Sequence, residues 1–224
     1  MSSTTRNTLI LVLDASSSMT QFNQLELLKV LSQTANDQEN ISRLVIIQFS
    51  DDCSIVLDEQ VPSGKTNLSI DKLSQIYKID GCTALNDAIL MACDVTKHDT
   101  NDKQVVLIMT DGFENSSKEQ KVEVVKEEIL SAQQKEVVFI GLGFGNDIAK
   151  SYGLPEGKCI EFNHTDGGMR EVCRAASEVM RSHTSDYYQG SREFTPEHRS
   201  ASAEVHVPDH DSRRADSLTQ SYYN

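Results

Sequence analysis

The sequence predicts a doubly wound α/β fold, with a mainly parallel central sheet, one antiparallel edge strand and helices on both faces. Three observations lead there. Short apolar runs recur at residues 9–13, 44–49, 105–109 and 137–141, and an apolar run of that length reads as a strand buried on both sides. Segments with apolar residues at helical spacing lie between those runs, and strand alternating with helix implies a parallel sheet covered on both faces. One further strand-like run, residues 53–57, is separated from its predecessor only by the Asp51-Asp52 turn, which makes a hairpin and hence an antiparallel edge.

In chain order, residues 8–13 form the expected first strand, and Phe22, Leu25, Leu28, Leu31 and Ala35 give the next segment a helical apolar face. The hairpin follows. Pro62-Ser63-Gly64 breaks the pattern, and Ile70, Leu73, Ile76 and Tyr77 mark a short helix before the Asp80-Gly81 turn. Leu85, Ala88, Ile89, Ala92 and Val95 stripe a helix that begins near Ala84. After the strand at 105–109, Val122, Val125, Ile129 and Ala132 point one way and Lys and Glu the other, as an amphipathic helix requires. Gly141-Leu142-Gly143-Phe144-Gly145 has the spacing GxGxG without the third glycine of a dinucleotide fingerprint, so it reads as a loop turning out of the sheet. A short helix over 147–152, a last strand over 158–162 and a helix carrying Met169, Val172, Cys173, Ala176 and Met180 complete the alternation.

With 224 residues, 38% of them hydrophobic, the chain suits one such domain. Its expected limits are residues 8–182, with a short N-terminal extension (1–7) and a polar tail (183–224). That tail is poor in aliphatics, mixes both charge signs, holds Pro196 and Pro208 and shows no period, so it is expected to be disordered. The formal net charge of −13 argues against nucleic acid, whose binding needs Lys and Arg to displace counterions, and against anionic membrane surfaces. The apolar run after the polar N-terminus ends at Asp14, too soon for a signal peptide or a bilayer span. A cytoplasmic protein is the expectation. Cys53, Cys82, Cys93, Cys159 and Cys173 are odd in number and scattered with no CxxC pair, so they read as reduced thiols rather than as zinc ligands or disulfides.

The chemistry concentrates where the first strand ends. Asp14-Ala15-Ser16-Ser17-Ser18-Met19 gathers a carboxylate and hydroxyls in one sharp loop. A hard divalent cation such as Mg2+ wants about six oxygens and keeps some as water, so two hydroxyls and one carboxylate make half a site. Thr83, ahead of the third helical stripe, and Asp111, after the strand at 105–109, can supply the rest. In an open parallel sheet ligands bind outside the carboxyl ends of the strands, where Asp14, Thr83 and Asp111 would meet. The plainer readings are local: Ser16, Ser18 and Thr83 as helix caps, and Asp111 as a turn former. Taken together they leave the gathering of oxygens at one rim unexplained.

Asp14-x-Ser16-x-Ser18, Thr83 in Gly-x-Thr-Ala-Leu and Asp111 in Thr-Asp-Gly, in that order in the β/α alternation, resemble the metal-ion-dependent adhesion site of a von Willebrand factor A domain over about residues 8–182. The wording around Thr83 and Asp111 resembles the intracellular and microbial members. The resemblance implies a Rossmann-like fold in which Ser16 and Ser18 bind Mg2+ or Mn2+ directly and Thr83 joins when ligand is bound. Asp14 and Asp111 would act largely through water, and a Glu or Asp from a protein partner completes the shell. Met19, Cys82, Phe113 and Glu114 would form the rim that meets the partner. The function implied is a non-catalytic interaction module, an adaptor or subunit of a larger assembly. One rival is a Mg2+-dependent phosphohydrolase or phosphotransferase using Asp14 as nucleophile, but the second acid it wants two residues on is replaced by Ser16, and no GxSxG elbow is present. A second rival is a structural subunit with the metal site unused.

Overall fold

The computed structural model describes residues 6–99, 101, 103–112, 114–119, 121–185 and 187–203. Six strands, β1 (Asn7–Asp14), β2 (Ile41–Phe49), β3 (Cys53–Gln60), β4 (Lys103–Met109), β5 (Val138–Leu142) and β6 (Cys159–Ile160), form one sheet in the order β3-β2-β1-β4-β5-β6. Every pairing is parallel except β2 with β3, which are antiparallel through the Asp51-Asp52 hairpin. The expected fold is therefore the observed one.

Around the sheet lie α1 (Gln24–Asn36), α2 (Ile70–Ile76), α3 (Leu85–His98), α4 (Val122–Gln133), α5 (Asn146–Tyr152), α6 (Asp166–Thr184) and α7 (Pro196–Ala203). Polar residues start several of them. Asn23, Ser69 and Thr165 each accept a hydrogen bond from the backbone N–H three residues on, satisfying a donor that the first turn leaves without an intrahelical partner.

The strand period of two divides the core. Leu9, Leu11 and Leu13 of β1 enter one apolar cluster with α1 and α6, while Ile10 and Val12 enter the other with α3, α4 and α5. All eight residues of β1 are buried, which is why it reads as an unbroken apolar run instead of an alternating one. Cys93 and Cys159 sit in the second cluster and Cys173 in the first. Burial pushes each of these three thiols up to about 12, so they pack as small apolar groups. Cys53 is half-buried and Cys82 exposed, and all five are free thiols.

Three expectations need correction. Leu25 is 53% exposed and Leu27 takes its place in the core, because α1 starts only after a separate 3₁₀ turn at Ser17–Gln21, which resets the helical phase. β6 keeps two residues of the expected five, since only Cys159 and Ile160 find partners on β5. The third concerns the tail. α6 continues to Thr184, Phe194 is buried, and α7 packs along α6, so disorder does not hold for residues 187–203. Thr195 starts α7, accepting from His198 N–H at 3.3 Å. The expectation for residues 204–224, and for the extension at 1–5, lies outside the described residues. No helix among those described is long and apolar enough to cross a membrane.

Candidate functional site

β1 lies between β2 and β4, the point at which strand order reverses, so the loops leaving β1 and β4 diverge around a crevice. The register Leu13 to Met109 sets Asp14 beside Thr110. Asp14 is fully buried. Its Oδ1 accepts from the Ser16 N–H at 2.8 Å and its Oδ2 from the Thr110 hydroxyl at 2.6 Å. Burial pushes its carboxyl above the ordinary range, the Thr110 and Ser16 hydrogen bonds pull it back, and the charge of Asp111 adds to the upward push. The Tyr77 hydroxyl, also buried, donates to the Asp14 backbone carbonyl. Burial and then the nearby charge of Asp14 raise the Tyr77 phenol, so it remains a donor.

The hydroxyls form a chain toward Asp111. Ser16 Oγ lies 2.9 Å from Ser18 Oγ, and Ser18 Oγ donates to Asp111 Oδ1 at 2.7 Å. Asp111 Oδ2 accepts from Gln21 Nε2 at 2.6 Å. Gly112 closes the circle, for a Cβ built on it would stand 3.5 Å from Thr83 Oγ1 and 3.8 Å from Ser18 Oγ. Thr83 therefore reaches the same place as the serines and Asp111. The capping alternatives lose their basis: Ser16 stands at the start of the 3₁₀ turn without a side-chain cap bond, and α3 is preceded by Ala84 rather than capped by Thr83.

Backbone hydrogen bonds hold the loops together. Ser17 N–H donates to Gly81 O at 3.0 Å, Asp80 N–H to Ala15 O at 2.8 Å and Ala84 N–H to Ser50 O at 2.7 Å. Thr83 is gripped on both sides by Asn115, whose Oδ1 accepts from the Thr83 N–H at 2.8 Å while its own N–H donates to Thr83 O at 3.1 Å. Gly143, at φ +89°, lets the loop after β5 pass close to the loop after β4; a Cβ there would stand 1.8 Å from the Thr110 carbonyl oxygen. The GxGxG stretch thus serves backbone approach.

The five expected metal-site residues, Asp14, Ser16, Ser18, Thr83 and Asp111, meet at this rim. The four rim residues fare differently. Met19 is fully buried in the core and is corrected to a packing residue, because the 3₁₀ turn directs it inward. Cys82 is exposed beside Thr83. Glu114 turns its carboxylate into its own loop: Oε1 accepts from the Ser116 and Ser117 N–H groups, and Oε2 from the Asn86 N–H and the Ser117 hydroxyl. Phe113 lies outside the described residues. Thr110, Tyr77, Gln21 and Asn115 are participants that sequence patterns missed. Thr110 had a visible signal, standing inside the Thr-Asp-Gly motif, whereas Tyr77 looked like one more apolar helix residue.

Chemically, the rim offers three hydroxyls and two carboxylates. Among the described residues no group of three His, Cys, Asp or Glu gathers as a metal site, and hydroxyls outnumber carboxylates at this rim. The donor set fits a hard divalent cation, which takes oxygen ligands and would relieve the repulsion between Asp14 and Asp111.

A family model described as von Willebrand factor type A domain matches residues 8–154. An uncharacterized protein of Borreliella burgdorferi is 26% identical over 172 residues, covering 73% of this chain and 47% of its own length. The chain thus spans about half the length of that curated relative. Among solved structures, proximal thread matrix protein 1 from the mussel byssus with a zinc-occupied MIDAS motif aligns with a TM-score of 0.58 at 17% identity, over 80% of this chain and 46% of that one. The manganese-loaded TRAP protein of Plasmodium vivax aligns with a TM-score of 0.53 at 17% identity, over 71% of this chain and 69% of that one. At these identities the structural likeness is one of fold.

Proposed function

The chain belongs to the von Willebrand factor type A domain family, and from that premise we propose that it is a non-catalytic interaction module whose rim binds Mg2+ or Mn2+ and, through it, an acidic residue of a protein partner. The observation that carries this reading is the placement of the Thr83 and Ser18 hydroxyls around Gly112, with Asp111 bonded to Ser18. Ser16, Ser18 and Thr83 would hold the ion, with Asp14 and Asp111 behind them. Neutral hydroxyls quench little of a double positive charge, so the bound ion supplies an acceptor for an outside carboxylate even on a protein of net charge −13. The residues here bind and orient: Thr110 and the Ser16 N–H fix Asp14, Asn115 fixes Thr83, and Glu114 stiffens the loop carrying Asp111.

The manganese-loaded and zinc-occupied relatives support a divalent ion of this general kind. A cytoplasmic location, an adaptor role in a larger assembly and membership of the intracellular and microbial branch belong to the same proposal. The rival in which Asp14 attacks a phosphoryl group finds no support, because both Asp14 oxygens are engaged by hydrogen bonds and the side chain is buried. Calorimetric titration with Mg2+ and Mn2+ tests the proposal, alongside partner capture from native lysate with Mg2+ against EDTA. Saturable heat lost in a Ser16→Ala, Ser18→Ala variant, and capture lost with EDTA, are the expected results. Absence of heat with either ion ends it, and Mg2+-dependent phosphate release abolished by Asp14→Asn would put the enzyme reading in its place.

A further inference from the structure

We propose that Gln21 is a positioning residue for the rim: its amide holds the Asp111 carboxylate, keeps that acid from giving its full charge to a bound ion, and so leaves the ion a stronger acceptor for a partner's carboxylate. The inference rests on the function proposed above. The neighbours of Gln21 in sequence set its place. It is the last residue of the 3₁₀ turn Ser17–Gln21, between Met19, fully buried, and Phe22, 4% exposed. The Met19 N–H donates to Ser16 O at 3.0 Å, the Phe22 N–H to Met19 O at 3.2 Å and the Thr20 hydroxyl to Ser17 O at 2.7 Å. Two residues on, the Asn23 N–H donates to Asp166 Oδ1 at 2.8 Å and ties the turn to the start of α6. The backbone from which Gln21 projects is thus fixed by core anchors and local bonds. The side chain itself is exposed, so packing does not orient it; the 2.6 Å bond from its Nε2 to Asp111 Oδ2 does.

Asp111 is therefore engaged at both oxygens, by the Ser18 hydroxyl at Oδ1 and by Gln21 at Oδ2. Hydrogen bonds to an ionised carboxylate are short and strong, and each draws on the charge that the oxygen could offer a cation. The two donors respond differently to an ion. A serine hydroxyl has lone pairs to offer a cation while its proton stays on Asp111, so the Ser18 bond and ion binding are compatible. The Gln21 Nε2 only donates, and it competes with the ion for Asp111. Its neutrality matters equally. A lysine at this position would cancel the Asp111 charge, and a glutamate would add a third acid to Asp14 and Asp111, whereas the amide restrains one oxygen and leaves the net charge alone. The less negative charge the protein lends a divalent ion, the more of the ion's charge remains for an outside carboxylate. Gln21 accordingly lowers the rim's affinity for the ion and raises the bound ion's affinity for a carboxylate.

The test is Gln21→Met in the full chain, which keeps the length of an exposed side chain and removes the donor, with Mn2+ and acetate as the probes. Calorimetric titration reads the affinity for Mn2+. The water-proton relaxation rate of the Mn2+-loaded protein, followed as acetate is added, reads the affinity of the bound ion for a carboxylate. The two are expected to move in opposite directions: the variant binds Mn2+ about tenfold more tightly, and its bound ion takes acetate several-fold less tightly. Gln21→Ala is expected to give the same two signs, since the donor and not the bulk of the side chain is at issue. A residue that merely supported the loop would weaken both affinities when replaced. Equal or weaker Mn2+ binding by the variants overturns the inference and leaves the metal rim standing, as does tighter Mn2+ binding with an unchanged acetate affinity. A wild type whose bound Mn2+ ignores acetate contradicts the carboxylate-acceptor reading itself, and one that takes up no Mn2+ contradicts the proposed function as a whole; the inference falls with either.

Discussion

A carboxylate as deeply buried as Asp14 is stable only while its oxygens are paired, and Thr110 supplies half of that pairing. Replacing Thr110 by Val keeps the shape and removes the donor to Asp14 Oδ2. An orphaned buried acceptor costs about 1–3 kcal/mol, more for a charged one. Thr110→Val is therefore expected to lower the unfolding free energy by at least that amount in EDTA, measured by urea denaturation, while Thr110→Ser restores most of it. Equal stability of Thr110→Val and wild type would show that Asp14 does not depend on this bond. The gathering of the five oxygen-bearing residues was legible because they stand in loops at strand ends and a helix start, which an open parallel sheet brings to one rim. Thr110 and Tyr77 were not, because their roles depend on the β1–β4 register and on where a helix residue's hydroxyl falls, neither of which leaves a period in the sequence. Met19 failed as a rim residue for the converse reason, since adjacency in sequence to Ser18 says nothing about which way a tight turn points it.

At the scale of elements, the long strands and amphipathic helices were legible because each buries a face large enough to impose its period. α7 was not: eight residues hold barely two turns, and its anchorage comes from Phe194, just before it, and from Ser202. The packing of residues 187–194 against the end of α6 has a consequence for pH. It half-buries His183, whose Nε2 lies 3.4 Å from Arg192 O. Burial and then the positive charges of Lys158, Arg192 and Lys103 push the imidazole down to about 4, against a partial lift from the Arg192 carbonyl. The ordinary value, which the unfolded chain keeps, is near 6.5, so the unfolded state binds the proton first. This contribution to stability is whole above pH 6.5 and drains away as pH falls from 6.5 toward 4. Discounted for the ring's solvent exposure, it is about 1 kcal/mol. Urea denaturation at pH 7 and pH 5 should show a smaller drop for His183→Gln than for wild type, and identical drops would place the imidazole in free solvent.

For the whole molecule, the two cores on either face of the sheet hold the carboxyl ends of β1 and β4 in place, and the loops they carry put two acids and three hydroxyls into one crevice. An apo protein of this design carries an electrostatic cost at that crevice, on top of the self-repulsion of a chain with net charge −13. Ion binding should therefore appear as global stability. An ion that binds only the folded state adds RT ln(1 + [L]/Kd), about 2.7 kcal/mol at a hundredfold excess over Kd. For a domain of this size each kcal/mol moves Tm by about 2–4 °C, so a rise of about 5–10 °C is expected in thermal unfolding with saturating Mg2+ or Mn2+ against EDTA. Any cation screens the self-repulsion of an acidic protein, so a rise alone would not place the ion at the rim. The Ser16→Ala, Ser18→Ala variant separates the two causes, since it keeps the net charge and removes two donors. A Tm rise confined to the wild type locates the ion at the serines, whereas an equal rise in both proteins would reduce the effect to screening and leave the rim without a metal.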